Sequence, residues 1–225
     1  MPYNIVFKNM SGQNAQYSIF MAPPDFSGNE QLWMTVWYTT TAVWGGSFEI
    51  NVNDDSFVWS GTVPTKPAQY AVVATSGYEI LDLGTDTTPG DAFTLVLNPV
   101  SSFDFRLGGP PSAPTGSFQL STYDDIPTPN NTYLAGFARA YGKDNVNPVA
   151  VFAPGNHEVL QITPKMKFFV NEAFQQPGEI VNQEDVEANG VTIDFEVGDG
   201  AGKTFAKVVH NGERDFTVTY SDAPE

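Results

Sequence analysis

The sequence predicts an all-β protein, an antiparallel β-sandwich of jelly-roll-like character, on three observations. Helix-period apolar patterns are almost absent. Short runs rich in Val, Ile, Thr, Phe and Tyr recur about every ten residues between clusters of Gly, Pro, Asn, Asp and Ser. The stretch Val191 to Val197 alternates strictly, with Val191, Ile193, Phe195 and Val197 inward and Thr192, Asp194 and Glu196 outward, the period of a strand with one buried face.

In chain order, the same reasoning predicts strands at Asn4 to Lys8, Gln16 to Met21, Leu32 to Tyr38, Ser47 to Val52, Ala71 to Ala74, Phe93 to Leu97 and Phe103 to Leu107. Toward the carboxy terminus, Asn189-Gly190 reads as a tight turn before the Val191 strand. A hairpin then joins Thr204 to Val209 with Arg214 to Tyr220 through Asn211-Gly212, a pair suited to the positive φ of a type I′ turn. Phe216, Val218 and Tyr220 should face inward, and the last third reads as an antiparallel meander.

Between the two strand-rich regions lies Gly108-Gly109-Pro110-Pro111-Ser112-Ala113-Pro114-Thr115-Gly116-Ser117. Its three prolines and three glycines oppose both helix and central strand. It divides the chain into 1–107 and 118–225, with net charges of −7 and −9, and the expectation is two packed sandwich-like halves joined by an exposed linker at 108–117, with one large sandwich as the alternative. Phe7-Lys8-Asn9 faintly echoes Phe169-Val170-Asn171, and Ile19 to Pro23 echoes Val151 to Pro154, matches too short to establish a duplication.

At 225 residues with 41% apolar side chains, the chain can bury a substantial core. Ten basic against 26 acidic residues give a net charge of −16, which argues against nucleic acid as a partner. The absence of cysteine excludes disulfides, thiolate metal sites and a cysteine nucleophile. The opening Met-Pro-Tyr-Asn-Ile-Val-Phe-Lys lacks a signal-peptide pattern, and no apolar stretch reaches about 18 residues, so a soluble, cytoplasmic chain away from membranes is expected.

No catalytic signature survives close reading. Gly198-Asp199-Gly200-Ala201-Gly202-Lys203-Thr204 imitates a phosphate-binding loop but has three residues where four are required, and a strand follows instead of a helix. Neither a Gly-x-Ser-x-Gly elbow nor an aspartic-protease motif occurs, since Asp86-Thr87-Thr88 breaks the latter at its third place. The two histidines, His157 and His210, are too few for a zinc centre. His157 is the better functional candidate, and His210 reads as an exposed residue beside a turn.

No cofactor is required by any motif, although calcium suits the oxygen-rich turns. Asn51, Asn53, Asp54 and Asp55 form one such cluster, and Asp124 and Asp125 another. Asp194, Glu196 and Asp199 are the candidate calcium ligands, two carboxylates on one strand face and a third in the adjoining loop, without EF-hand spacing. Asn9-Met10-Ser11 and Asn130-Asn131-Thr132 match the N-glycosylation pattern.

The most unusual feature is that all four tryptophans, Trp33, Trp37, Trp44 and Trp59, fall within 27 residues, accompanied by Tyr38. An extended strand puts Trp33, Thr35, Trp37 and Thr39 on one face, which suits either the stacking of sugar rings or the packing of a second sheet. The expected function is therefore a non-enzymatic binding module, lectin-like and carbohydrate-binding, with a small apolar ligand as the other candidate partner, using Trp33, Trp37, Trp44, Trp59 and Tyr38. Two alternatives stay open: a cofactor-independent lyase, isomerase or cyclase with an aromatic-lined pocket and acid–base carboxylates, and a self-assembling structural β protein forming a homo-oligomer.

Overall fold

A computed structural model describes residues 2–53, 55–98, 102–107, 110–141, 145–212 and 215–223. The protein is all-β, as its alternating sequence requires. Strands β1 (Tyr3–Asn9), β2 (Ala15–Met21), β3 (Asp25–Phe26), β4 (Trp33–Thr35), β5 (Tyr38–Ala42), β6 (Ser47–Val52), β7 (Ser56–Thr62), β8 (Ala74–Leu81), β9 (Ala92–Asn98) and β10 (Ser102–Leu107) come first. Then follow β11 (Phe118–Thr122), β12 (Tyr133–Tyr141), β13 (Asn145–Phe152), β14 (Val159–Thr163), β15 (Lys167–Glu172), β16 (Ile180–Val181), helix α1 (Gln183–Asn189), β17 (Gly190–Asp194), β18 (Phe205–Gly212) and β19 (Asp215–Ser221).

Four mostly antiparallel sheets result, in the orders β19-β18-β1-β6, β17-β15-β2-β5, β10-β9-β11-β14-β3 and β16-β4-β13-β12-β7-β8. The first two face each other through Phe7 against Tyr17, with ring centroids 4.6 Å apart. The last two meet through Phe26 against Phe152 at 4.7 Å and Phe103 against Tyr133 at 5.6 Å. Two sandwiches therefore exist, but they are not the two chain halves. Every sheet draws strands from both 1–107 and 118–225, and one apolar cluster, from Ile5 and Tyr17 to Phe118, Phe137 and Phe168, runs through the assembly.

The segment expected as a free linker is stitched down where it is described. Ala113 bridges Gly90, Thr115 bridges Gly84, and Ala113 is buried. Glycine permits this approach, because a Cβ at Gly84 would lie 2.2 Å from the Pro114 carbonyl oxygen and one at Gly90 2.1 Å from that of Ser117. Gly108 and Gly109 lie outside the described residues.

Several local expectations also change. The run Leu32 to Tyr38 splits: Val36 N–H donates to Glu179 O at 2.9 Å while Trp37 N–H donates to Ile19 O at 3.0 Å, so the chain leaves one sheet for another between β4 and β5. Asn189-Gly190 is no type I′ turn, since Gly190 has φ −131° and ends α1. That helix starts where Asn182 Oδ1 accepts from Glu184 N–H and Asp185 N–H, with two acids in the first turn. The strand after it stops at Asp194, so Phe195 is buried while Val197 turns out to solvent.

The carboxy-terminal hairpin forms, and Phe216, Val218 and Tyr220 pack on the core. Asn211 and Gly212 nevertheless lie within β18, and Gly212 pairs with Asp215; Arg214 lies outside the described residues. The expected meander does not form either, because β17 pairs with β15 whereas β18 runs parallel to β1.

Candidate functional site

The tryptophans do not form one face. Trp37 is fully buried at the junction of the two sandwiches, donating its indole N–H to Arg139 O at 3.1 Å and meeting the Tyr141 and Phe168 rings. Trp59 is fully buried in a separate cluster with Leu134 and Val151, its indole N–H on Thr75 Oγ1 at 3.0 Å. Tyr38 is half-buried, its ring centroid 3.7 Å from that of Tyr141, and burial together with their hydrogen bond pushes the Tyr141 hydroxyl up to about 12. Trp44 is exposed at the turn between β5 and β6. Trp33 alone is half-buried against cavities. A side chain sealed in a core cannot touch a ligand, which removes Trp37 and Trp59 from any binding surface.

The expected calcium ligands are engaged otherwise. Asp194 Oδ1 accepts from Glu196 N–H at 2.9 Å and Val197 N–H at 3.2 Å, closing the turn after β17, and Glu196 Oε1 accepts from Met166 N–H at 2.9 Å. Asp199 lies in a 3-10 turn over Gly198–Gly200. In the neighbouring turns, Asp55 Oδ2 accepts from Asn53 Nδ2 and Asp125 Oδ2 from Leu97 N–H, while Asp54 lies outside the described residues. Among the described residues, no group of three His, Cys, Asp or Glu side chains is placed to hold a metal ion. The glycine-rich loop closes as a turn into β18, with Lys203 Nζ paired to Asp222 Oδ1 at 3.0 Å.

Of the two histidines, only His210 departs from its expected place. His157 is exposed, on a left-handed backbone with φ 59°. His210, expected at the surface, is fully buried: its Nδ1 lies 2.8 Å from the Tyr17 hydroxyl, and its ring stacks on Phe216 at 4.4 Å. Its Nε2 lies 3.7 Å from Glu172 Oε2. Burial, reinforced by the Glu172 charge, raises the Tyr17 hydroxyl above its ordinary range and keeps it neutral. Both sequon asparagines are likewise structural. The Asn9 amide donates to Gln13 O and Ala42 O, and that of Asn130 donates to Tyr133 O and Pro154 O, so neither is free to carry a glycan in the folded chain.

The Glu172 and Phe216 side chains lead outward to a cavity of about 420 Å³, of the size small-ligand sites have. Strand β15 supplies Asn171 and Glu172, α1 supplies Asp185 and Asn189, and the turn before β8 supplies Gln69 and Tyr70. Val181 and Val186 give it an apolar floor. Among the described residues its lining has two carboxylates and no cationic side chain, a balance that disfavours anionic ligands.

Two features of the lining lack a folding rationale. Asn171 is only 7% exposed, yet its Oδ1 is buried without a hydrogen-bond partner. The absence of a side chain at Gly190 makes room for it, because a Cβ there would meet Asn171 Oδ1 at 1.7 Å. Tyr70 is 69% exposed and holds φ 70°, a left-handed conformation unfavourable for an aromatic residue. That backbone is fixed, since Tyr70 N–H donates to Ile180 O at 2.8 Å and Ile180 N–H to Ala71 O at 2.8 Å.

Sequence reasoning missed Tyr70, Asn171 and Glu172 as site residues. The helix beside them carried a readable signal, Asn182 followed by two acids, but nothing local to Tyr70 announces its backbone. A second carboxyl site lies elsewhere. Glu158 is raised to about 7 by burial and by Glu30, with which it shares a hydrogen bond, although Gly155 N–H on Glu158 Oε2 opposes the shift. No helix among the described residues is long and apolar enough to cross a membrane. Comparison with protein-family models, curated proteins and solved structures finds no match to this chain.

Proposed function

We propose that this chain is a non-enzymatic binding module for neutral carbohydrate, with its site in the cavity between Tyr70 and Asn171. The observation that carries the reading is Tyr70, a large aromatic ring held in the open by a pinned, strained backbone at the rim of an amide-lined cavity. Sugar rings present C–H faces that stack on aromatics, while their hydroxyls satisfy amide and carboxylate groups around the edge. Gln69, Asn171, Gln175 and Asn189 supply amide side chains to the lining. The site keeps the function first expected of the tryptophans but moves it to other residues.

Calorimetric titration with neutral hexoses and N-acetylhexosamines tests the reading. Tyr70→Ala and Asn171→Ala should each abolish measurable heat while the variants stay folded by circular dichroism. Binding that survives both substitutions, or no binding of any neutral sugar by the wild type, overturns it.

An acid–base enzyme is the second reading, favoured by Glu158, whose carboxyl is held protonated to about pH 7 beside Glu30. Neither carboxyl lines the Asn171 cavity, so this reading places its chemistry elsewhere. It gains the lead if Glu158→Gln removes a hydrolytic or isomerising activity that Tyr70→Ala leaves intact.

A further inference from the structure

The Asn171 cavity is not isolated. It shares Gln69, Val181 and Asn182 with a neighbouring cavity of about 290 Å³, which also reaches Trp33 and Gln31. A third, of about 480 Å³, shares Gln31, Trp33, Val181 and Asn182 with the second and continues along α1 to Gln183 and Glu187. Asn182 and Val181 line all three. The result is a bent trough around the start of α1, with Tyr70 toward one end and Trp33 toward the other.

We propose that the trough binds a linear, uncharged oligosaccharide of several residues, with Tyr70 and Trp33 as separate stacking platforms. The proposal rests on the carbohydrate reading and adds chain length and charge to it. One hexose needs one cavity; three adjoining cavities joined by shared walls fit a ligand made of joined rings. Three aromatics line the trough, Tyr70, Trp33 and the half-buried Phe216 that packs on the core, and of these Tyr70 is the most open, whereas the fully buried Trp37 and Trp59 line none of these cavities. Amides recur along its length at Gln31, Gln69, Asn171 and Gln183. Among the described lining residues Glu172, Asp185, Glu184 and Glu187 outnumber Lys66, which disfavours polyuronates and sulfated chains on electrostatic grounds.

Titration of the whole chain with N-acetylglucosamine and its β-1,4 trimer and hexamer, and with glucose and its β-1,4 trimer and hexamer, tests this. In at least one series the hexamer should bind about tenfold or more tighter than the monomer, the equivalent of one further stacking contact. A repeating ligand also gains affinity simply by offering the same unit several times, so the decisive variant is Trp33→Ala. It should remove the gain of the hexamer, weakening the hexamer far more than the monomer, and Gln31→Ala should reduce the same gain should Trp33→Ala fail to fold. Tyr70→Ala should weaken monomer and hexamer alike. A gain that persists in Trp33→Ala or Gln31→Ala, or a hexamer no tighter than the monomer, overturns the trough while leaving the single-cavity reading intact. Failure of every sugar in both series overturns both, and tight binding of polygalacturonate overturns the charge argument.

Discussion

Asn9 ends β1 and Asn171 is the next-to-last residue of β15, after the similar pairs Phe7-Lys8 and Phe169-Val170, and both side chains are buried. Around Asn9 everything is satisfied. Its amide donates to Gln13 O at 2.8 Å and Ala42 O at 3.0 Å, while its Oδ1 accepts from Ser11 N–H and from Ser11 Oγ. Around Asn171 the acceptor stays unmet, on the wall of a cavity. Similar local text thus makes a fully bonded staple in one place and leaves a sealed, unpartnered acceptor beside a cavity in the other. The difference comes from what the rest of the chain brings up: a loop folded back on β1 at Asn9, and Gly190 with the start of α1 at Asn171.

The contrast is sharpest for aromatic residues, where the largest effects are expected. Trp37→Ala and Trp59→Ala should each cost about 3 to 5 kcal/mol in chemical denaturation, since each leaves a large cavity and strips a partner from Arg139 O or Thr75 Oγ1. Trp44→Ala, at an exposed turn outside the trough, should change stability by less than about 0.5 kcal/mol. A small cost at Trp37 or Trp59 would break the division between interior and site.

Next in size is the asparagine pair itself. Asn9→Ala strands the buried Ala42 carbonyl and removes the partner of the Gln13 carbonyl and of the Ser11 N–H, and should cost about 2 kcal/mol, whereas Asn171→Ala removes an acceptor already without a partner and should cost under about 1 kcal/mol. Equal losses in urea melts would show that Asn171 is scaffold after all.

Glu30 and Glu158 form an intermediate case, in which a shared proton stands in for the missing partner. Since the folded carboxyl of Glu158 titrates at about 7 against an ordinary 4.5, the native state holds more protons than the unfolded chain between those values. The stabilisation is complete below about pH 4.5 and is lost as pH rises through 7. Melting temperature, measured across this window, should fall from this contribution and level off above it, and Glu158→Gln should flatten that part of the profile. An unchanged slope in the variant would remove Glu158 as its source.

The all-β class and several strands were legible in the sequence because alternation and turn residues act locally; Ser47–Val52 and the pairing of Phe205–Gly212 with Asp215–Ser221 follow from such signals. The sheet assignment was not. Nothing between Thr35 and Tyr38 announces that the chain changes sheets there, since the switch depends on Ile19 and Glu179 arriving from elsewhere. Reading Trp33 and Trp37 on one face failed for that reason. His210 was misplaced similarly: its neighbours suggested a turn, but Tyr17, 193 positions away, encloses it. Of the candidate site, only Trp33 was named from the sequence, because a left-handed Tyr70 and an unpartnered Asn171 are consequences of tertiary packing.

The smallest expected effect carries the most information about Tyr70. An L-residue in the left-handed region costs roughly 1 to 2 kcal/mol, and glycine removes that strain while adding about 0.5 to 1 kcal/mol of unfolded-state entropy. With 69% of Tyr70 exposed, little packing is lost with its ring. Tyr70→Gly should therefore melt at the wild-type temperature or slightly above it, with a net gain of about 0.5 kcal/mol, while losing sugar binding. Tyr70→Ala removes the ring but keeps the strain, so it should lose binding without the gain in stability. If Tyr70→Gly is clearly less stable than Tyr70→Ala, the left-handed backbone is not strained in the way its φ implies. A stable variant that cannot bind would instead place Tyr70 with groups whose conformation serves a ligand at the fold's expense.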